Sequence, residues 1–438
     1  MVEWTRIWAP AAVVMVMMVA FGSVEGQLDD VYPSRTTHGL EMGFGSCNKA
    51  PKTGHNAFKA MTDNTVSNAS SWSTYAWLGD AVYGDHNPIP FLWLPAEPQM
   101  LRDKFAELKR MDDYAALVER VPVVGTWDDH DFGANDGGAW YQHKRDAQVT
   151  FLDFLGVSPD SPRRDRTGVY SAIGLQASSA DSLVVVILLD VRTHADIKGN
   201  VILGDEQWAW LESVLDFVAR DPRVVLTLVG SGTQVLPLDK VLAEGWHHVP
   251  HERTRLLDAL VATGVPSVFL SGDVHFSEVS HTRHCTSSHF ADMYDVTSSG
   301  LTHTWGDKIA PLRAFLLHFF LVSSTRIGDP ILDHSFGSFR LADDADGKTI
   351  SFTFHHAHDG SIIAQHVWDL QSLTPKPLPD HEEERDALGC SSKIPSESLL
   401  RNVTGLQFGA IIFYSCVLCL GWVLTYFFYA LALYLARG

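Results

Sequence analysis

Short apolar runs alternate along this chain with longer stretches in which apolar residues recur every three or four positions. Leu40–Phe44, Thr74–Leu78, Val121–Thr126, Leu183–Leu189, Val224–Val229 and Ser267–Ser271 have the length and β-branched character of short buried strands. Pro98–Arg120, Ala139–Leu155, Asp205–Arg220 and Glu252–Thr263 carry the helical period. Further on, Gly337–Leu341, Thr349–His355 and Ser361–Trp368 alternate with no helical stretch between them, as antiparallel strands do. The pattern predicts a mixed α/β sandwich of two β-sheets flanked by helices.

The two ends have a different character. Met1–Gly26 has Arg6, an almost wholly apolar Ile7–Phe21 and small residues at Gly22, Ser23 and Gly26, the layout of a secretory signal peptide; an uncleaved anchor helix is the alternative. Phe408–Ala436 contains no charged residue and is longer than the roughly 20 residues that span a bilayer. It reads as a C-terminal transmembrane helix, with a GPI-directed tail as the alternative. Residues 372–407 hold Pro375, Pro377, Pro379 and the acidic run Glu382–Glu384, and read as a stalk. The expected division is a signal peptide over 1–26, a folded body over 27–371, a stalk over 372–407 and a membrane helix over 408–436. Ala314–Ser324 is too short to span a membrane and reads as a buried helix or a membrane-proximal patch. Asn68 and Asn402 begin glycosylation sequons, which carry meaning in a secretory-pathway glycoprotein.

Charge narrows the partners. A formal net charge of −19, with no basic stripe, argues against nucleic acid. The acids also gather in particular places. Val121–Val124 runs through Gly125 into Trp127-Asp128-Asp129-His130-Asp131, followed by Asn135, Asp136 and two glycines. Leu40–Phe44 runs into Gly45-Ser46-Cys47-Asn48, and Thr74–Leu78 into Gly79-Asp80-Ala81-Val82-Tyr83. Val224–Val229 runs into Gly230-Ser231-Gly232, and Ser267–Ser271 into Gly272-Asp273-Val274-His275. Carboxylates, thiol and imidazole at several strand ends of one sheet edge point to a metal centre of two or more ions. Glycine at each end suggests hinges that let the backbone turn toward an ion.

In this order the strand ends resemble the alkaline phosphatase D (PhoD-like) family of the metallophosphoesterase superfamily, whose motifs are GSC, GDxxY, WDDH[DE] and SGDVH. The resemblance extends from about Gly43 to Trp368 and includes Leu189–Arg192, Gly204–Trp208, Glu244–Trp246 with Glu252-Arg253, and Ser299–His303. It implies hydrolysis of phosphate monoesters or diesters with ferric iron and calcium. It implies that Cys47, Asp80, Tyr83 and Asp273 hold one metal, and that Asp80 bridges to a second held with Asp129. His130 and His275 then face the substrate phosphate or complete the shell, with His130 donating a proton to the leaving alcohol. Asn135 and Arg192 are candidates for phosphate contact, although Arg192 beside Asp190 equally suits a structural ion pair. Cys47 on its own equally suits a buried thiol or half a disulfide. As the counterpart of the family's iron ligand it leaves Cys285 and Cys390 to pair near the site, with Cys47–Cys285 as the rival bridge. His247, His248 and His251 read as a polar loop or pocket rim. The whole describes a single-pass membrane enzyme with a lumenal or extracellular body. Alternatives are a phospholipase-like phosphodiesterase acting on lipid head groups and an inactive recognition ectodomain.

Overall fold

The computed structural model describes residues 28–37, 39–49, 57–63, 69–89, 92–240, 243–307, 323–344 and 347–390, with Gly421. Two sheets face each other. The first runs, edge to edge, Asp30–Pro33, Ser171–Gln176, Leu183–Leu188, Val224–Ser231, Ser267–Ser271, His289–Thr297, Ser277–Cys285 and Arg326–Ile331. The second runs Ile362–Asp369, Gly347–His356, Ser335–Asp344, Leu40–Gly45, Thr74–Leu78 and Val123–Thr126. Leu40–Gly45, Thr74–Leu78 and Val123–Thr126 are mutually parallel, as are Leu183–Leu188, Val224–Ser231 and Ser267–Ser271.

The alternation of side chains builds the layers. Leu40, Met42, Phe44, Ala76 and Leu78 point inward from one sheet and meet Val184, Val186, Leu188, Leu226, Leu228 and Leu270 of the other. The opposite faces are also covered. Gly204–Arg220 and Pro250–Ala262 set Trp208, Leu211, Val214, Leu256 and Leu260 against Val185, Ile187 and Phe269. Pro98–Lys109, Asp112–Arg120 and Lys144–Phe154 close an aromatic core around Tyr75, Trp77 and Trp127 on the second sheet. Strands buried on both faces are near-continuously apolar, which is why Thr74–Leu78 and Ser267–Ser271 end where the sequence pattern does. The expected sandwich of two mixed sheets flanked by helices is the observed architecture.

Some details differ. Pro98–Arg120 is two helices, because Met111 is extended (ψ 122) and turns the chain so that Leu101, Phe105 and Leu108 pack separately from Tyr114 and Leu117. The helix expected over Ala139–Leu155 begins at Lys144, after turns that follow Gly137-Gly138. Residues 372–390 do not hang free as a stalk does. Leu373 is buried, Lys376–Pro377 pairs with His289–Phe290, and Cys390 is bonded to Cys285 with Cα atoms 5.6 Å apart. That bridge is not beside the strand ends that carry the acids. Cys285 pairs with Phe290 while Ser271 pairs with Thr297, so the bridge lies about 23 Å along the hairpin from that edge. No helix among the described residues is long and apolar enough to cross a membrane. Met1–Gly26, Phe408–Ala436 apart from Gly421, Asn68, Asn402 and the apolar part of Ala314–Ser324 lie outside the described residues.

Candidate metal centre

The carboxyl ends of the two parallel strand sets interlock. Ser46 forms a parallel bridge with Ser299, and its hydroxyl donates to the Ser298 carbonyl at 2.9 Å. Thr126 Oγ1 donates to the Leu189 carbonyl at 2.6 Å, and the Gly272 N–H donates to the Gly232 carbonyl at 3.1 Å. Around this seam five non-glycine residues hold positive φ: Cys47 (59°), Asp80 (52°), Asp136 (51°), Asp273 (74°) and His275 (59°). Such conformations are uncommon outside glycine, and they aim side chains that an extended strand would point elsewhere.

They aim them at each other. Cys47, Asp80 and His275 bring ligand atoms within 4.8 Å of one another, and so do Asp80, Asp129 and His130. A third group, Asp129, Asp136 and Glu244, adjoins them. Asp80 thus belongs to two groups and Asp129 to two. Tyr83 joins the first through a 3.0 Å hydrogen bond between its hydroxyl and His275 Nε2. Its ring stacks on His130 at 4.1 Å. Asp273 is in none of the three groups, although it is close enough for Asp128, Asp129 and Glu244 to act on its charge.

The supporting contacts explain the acidic stretch. Asp131 is a cap: its carboxylate accepts from the Asp128 N–H at 2.6 Å and the Ala81 N–H at 3.0 Å, tying the two acidic loops together. Asp128 binds Arg192, accepting from Nε at 2.6 Å. Arg192 reaches Glu244 at 2.6 Å through Nη1 and lies 4.0 Å from Asp129. The guanidinium is buried among these three carboxylates, and only the backbone N–H of Arg192 bonds Asp190, at 2.9 Å. His130 is held by Asp85, whose carboxylate lies 2.7 Å from Nδ1 and also accepts from the Asn135 N–H at 3.0 Å. Asn135 therefore acts on the site through its backbone. Asp85 and Ser299 were not legible as site residues. Asp85 sits five positions after Asp80 in the same loop, the single signal that marked it.

Metal-free, this arrangement is electrostatically strained. Burial pushes the Asp80 carboxyl up to about 8; His130 opposes the shift, while Asp129 and Asp131 add to it. Burial also drives the Cys47 thiol and the Asp128, Asp131 and Asp273 carboxyls well above their ordinary ranges. Burial disfavours the charge on His130, but Asp129, Asp80 and Asp85 outweigh it and push the imidazole up to about 10. Cations at the group of Cys47, Asp80 and His275 and at the adjoining group that holds Asp80 and Asp129 relieve the repulsion and use sulfur, oxygen and nitrogen donors already gathered within reach. The residues fit a metal centre of more than one ion.

A family model for PhoD-like phosphatases matches residues 42–304. The chain belongs to the PhoD-like phosphatase family. Every side chain of the first two groups lies inside the matched span, as do Tyr83, Asp85, Arg192 and Ser299. A solved structure titled as that of PhoD shares the fold at 15% identity, with a TM-score of 0.58, covering 84% of this chain and 79% of that one. A dimetal phosphatase from Danio rerio matches at 12% identity and a TM-score of 0.44, covering 76% of this chain and 99% of that one. No curated protein matches the chain. A PhoD-like phosphatase with these clusters is suited to metal-dependent hydrolysis of phosphate esters.

Proposed function

We propose that this PhoD-like phosphatase hydrolyses phosphomonoesters or phosphodiesters at a centre in which Cys47, Asp80, Tyr83, Asp273 and His275 hold a ferric ion. Asp80 and Asp129 then share calcium. The observation that carries the reading is Asp80: one buried carboxylate common to a sulfur-containing group and an imidazole–carboxylate group. A thiolate with a phenolate suits a ferric ion, and an oxygen-rich set suits calcium. When bound, the ions supply Lewis acidity toward phosphoryl oxygens and lower the pKa of a water into the neutral range.

The chain's own residues do the rest. Asp85 holds His130 by Nδ1, leaving Nε2 to give its proton to the departing alkoxide. Tyr83 stacks against the same ring and keeps it from rotating. Arg192 spans Asp128, Asp129 and Glu244 and locks the loop that presents Asp129. Beside it opens a cleft of about 460 Å³, lined by Trp140, Val191, Ile197, Ile202, Glu244 and His248. Its apolar walls accept the organic part of an ester.

The reading also places the enzyme in the secretory pathway, on a membrane through Phe408–Ala436, with the body on the lumenal or extracellular side. The Cys285–Cys390 bridge supports an oxidising compartment. The test is to assay the detergent-solubilised full chain against a panel of monoesters and diesters, with elemental analysis and chelator controls. Turnover that disappears with the metal and returns on reloading supports the reading. A metal-loaded protein that turns over neither ester class overturns it.

A further inference from the structure

We propose that Ser299 is a positioning residue that hydrogen-bonds the Cys47 sulfur and sets its strength as a metal donor; this rests on Cys47 being a ligand. Ser299 is fully buried and follows the strand His289–Thr297. Its Oγ lies 2.6 Å from the His275 backbone nitrogen and 3.1 Å from Cys47 Sγ. A backbone N–H only donates, so Oγ accepts from His275, and the single hydroxyl proton is left to point at sulfur. The other hydroxyl near the sulfur is Ser46 Oγ, at 3.5 Å, but it donates to the Ser298 carbonyl at 2.9 Å. Ser299 is therefore the better-placed donor to Sγ.

Its position is fixed from both sides. The backbone bridge to Ser46 and the 3.3 Å bond from the Ser299 N–H to Ser277 Oγ hold the main chain, while His275 and Cys47 hold the hydroxyl. One side chain thus couples two residues of positive φ that come from different sheets. A thiolate that accepts a hydrogen bond donates less electron density to its metal. Partners of this kind tune metal sites and orient their ligands.

The probe is Co²⁺ added alone to the metal-stripped, detergent-solubilised full chain, read by its sulfur-to-cobalt charge-transfer band. Cys47→Ser identifies the band by abolishing it. Ser299→Ala is expected to move the band to longer wavelength, because the thiolate freed of its hydrogen bond donates more electron density. Ser299→Thr and Ser299→Val have the same shape and differ by the hydroxyl, so the proposal expects the wild-type band in Thr and the shifted band in Val. A wild-type band that stays in place in both Ser299→Ala and Ser299→Val overturns the proposal while leaving Cys47 a ligand. A wild-type protein without a sulfur band overturns the ligand reading and the proposal with it.

Discussion

Asp80→Asn separates what the carboxylate does for metal from what it does for stability, and the two effects have opposite signs. Asparagine keeps the oxygen that accepts the 3.3 Å hydrogen bond from the His130 N–H, so the loop retains its shape. The charge is lost. The ligand oxygens of Asp80 and Asp129 lie within 4.8 Å of each other. Two unit charges at that distance repel by about 3.5 kcal/mol at an effective dielectric of about 20. In metal-free protein, protonation of Asp80 limits how much of that repulsion is felt. Its folded-state pKa, about 8, is above the ordinary 3.8. The sign follows from linkage: a carboxyl whose folded pKa is raised binds its proton more tightly when folded. Its stabilising effect is therefore complete below about 4 and is lost as pH climbs through about 8. Metal-free Asp80→Asn lacks that loss. It is expected to melt above metal-free wild type at pH 8–9, by several degrees, and to converge with it near pH 4.

Metal reverses the order. Wild type gains stability on loading, by about 2.7 kcal/mol at a ligand concentration 100 times Kd. Asp80→Asn, having lost a donor common to both groups, is expected to gain almost nothing, to hold less than one ion per chain and to lose roughly 10²–10⁴ in turnover. Cys47→Ser, which touches one group, is expected to keep the ion shared by Asp80 and Asp129. Elemental analysis, melting with and without chelator across pH, and hydrolysis of an aryl phosphate measure all of this. An Asp80→Asn protein that retains two ions, or whose metal-free form melts below wild type at pH 9, refutes the reasoning.

Three further outcomes are expected. His130→Gln slows an alkyl phosphate by about 10²–10⁴ and an activated aryl phosphate much less, because a good leaving group needs no proton; steady-state kinetics on the pair checks this. Cys390→Ser opens a loop with a sequence separation of 105 and costs about 2–4 kcal/mol, read by chemical denaturation, while kcat/KM is unchanged because the bridge lies far from the acidic seam. Trp140 is 63% exposed at the cleft, and Trp140→Ala raises KM for aromatic esters by roughly tenfold at most while sparing methyl phosphate.

The parts of the fold that were readable are those where burial on both faces forces one kind of side chain. Leu183–Leu188 is LVVVIL, and every residue of it is buried. The hairpin of Ser277–Cys285 and His289–Thr297 is not legible in the sequence for the opposite reason. Its outer ends are partly exposed, and His281, Arg283, His284 and Asp292 break any apolar alternation. In the site, residue types that bear chemistry were visible at strand ends, but their partners were not. Cys47 meets Ser299 across 252 positions and Tyr83 meets His275 across 192. Nothing local to either member encodes such a meeting. It exists because two sheets, each with its own hydrophobic pattern, close on a common core and bring their loop ends into one seam.

The glycines at those strand ends show how a correct signal can carry the wrong cause. Their placement suggests hinges, yet among Gly45, Gly79, Gly125, Gly230 and Gly272 only Gly79 has positive φ, at 88°. The others leave room. A Cβ on Gly272 would fall 2.4 Å from the Leu78 carbonyl oxygen, one on Gly125 2.7 Å from the Trp77 Cβ, and one on Gly230 2.7 Å from a Leu188 methyl. Glycine at 125 and 230 lets neighbouring strands of one sheet pack closely, and at 272 it lets loops of the two sheets interlock. The positive-φ turns fall instead to Cys47, Asp80, Asp273 and His275, a conformation that Asp and His tolerate better than most non-glycine residues and that strains Cys47 most. Strain is thus concentrated on residues that carry the chemistry, and close packing around the neighbouring glycines keeps it from relaxing. On this argument Gly272→Ala damages metal binding without touching a ligand, because it pushes apart the two loops that bring Cys47 and His275 together.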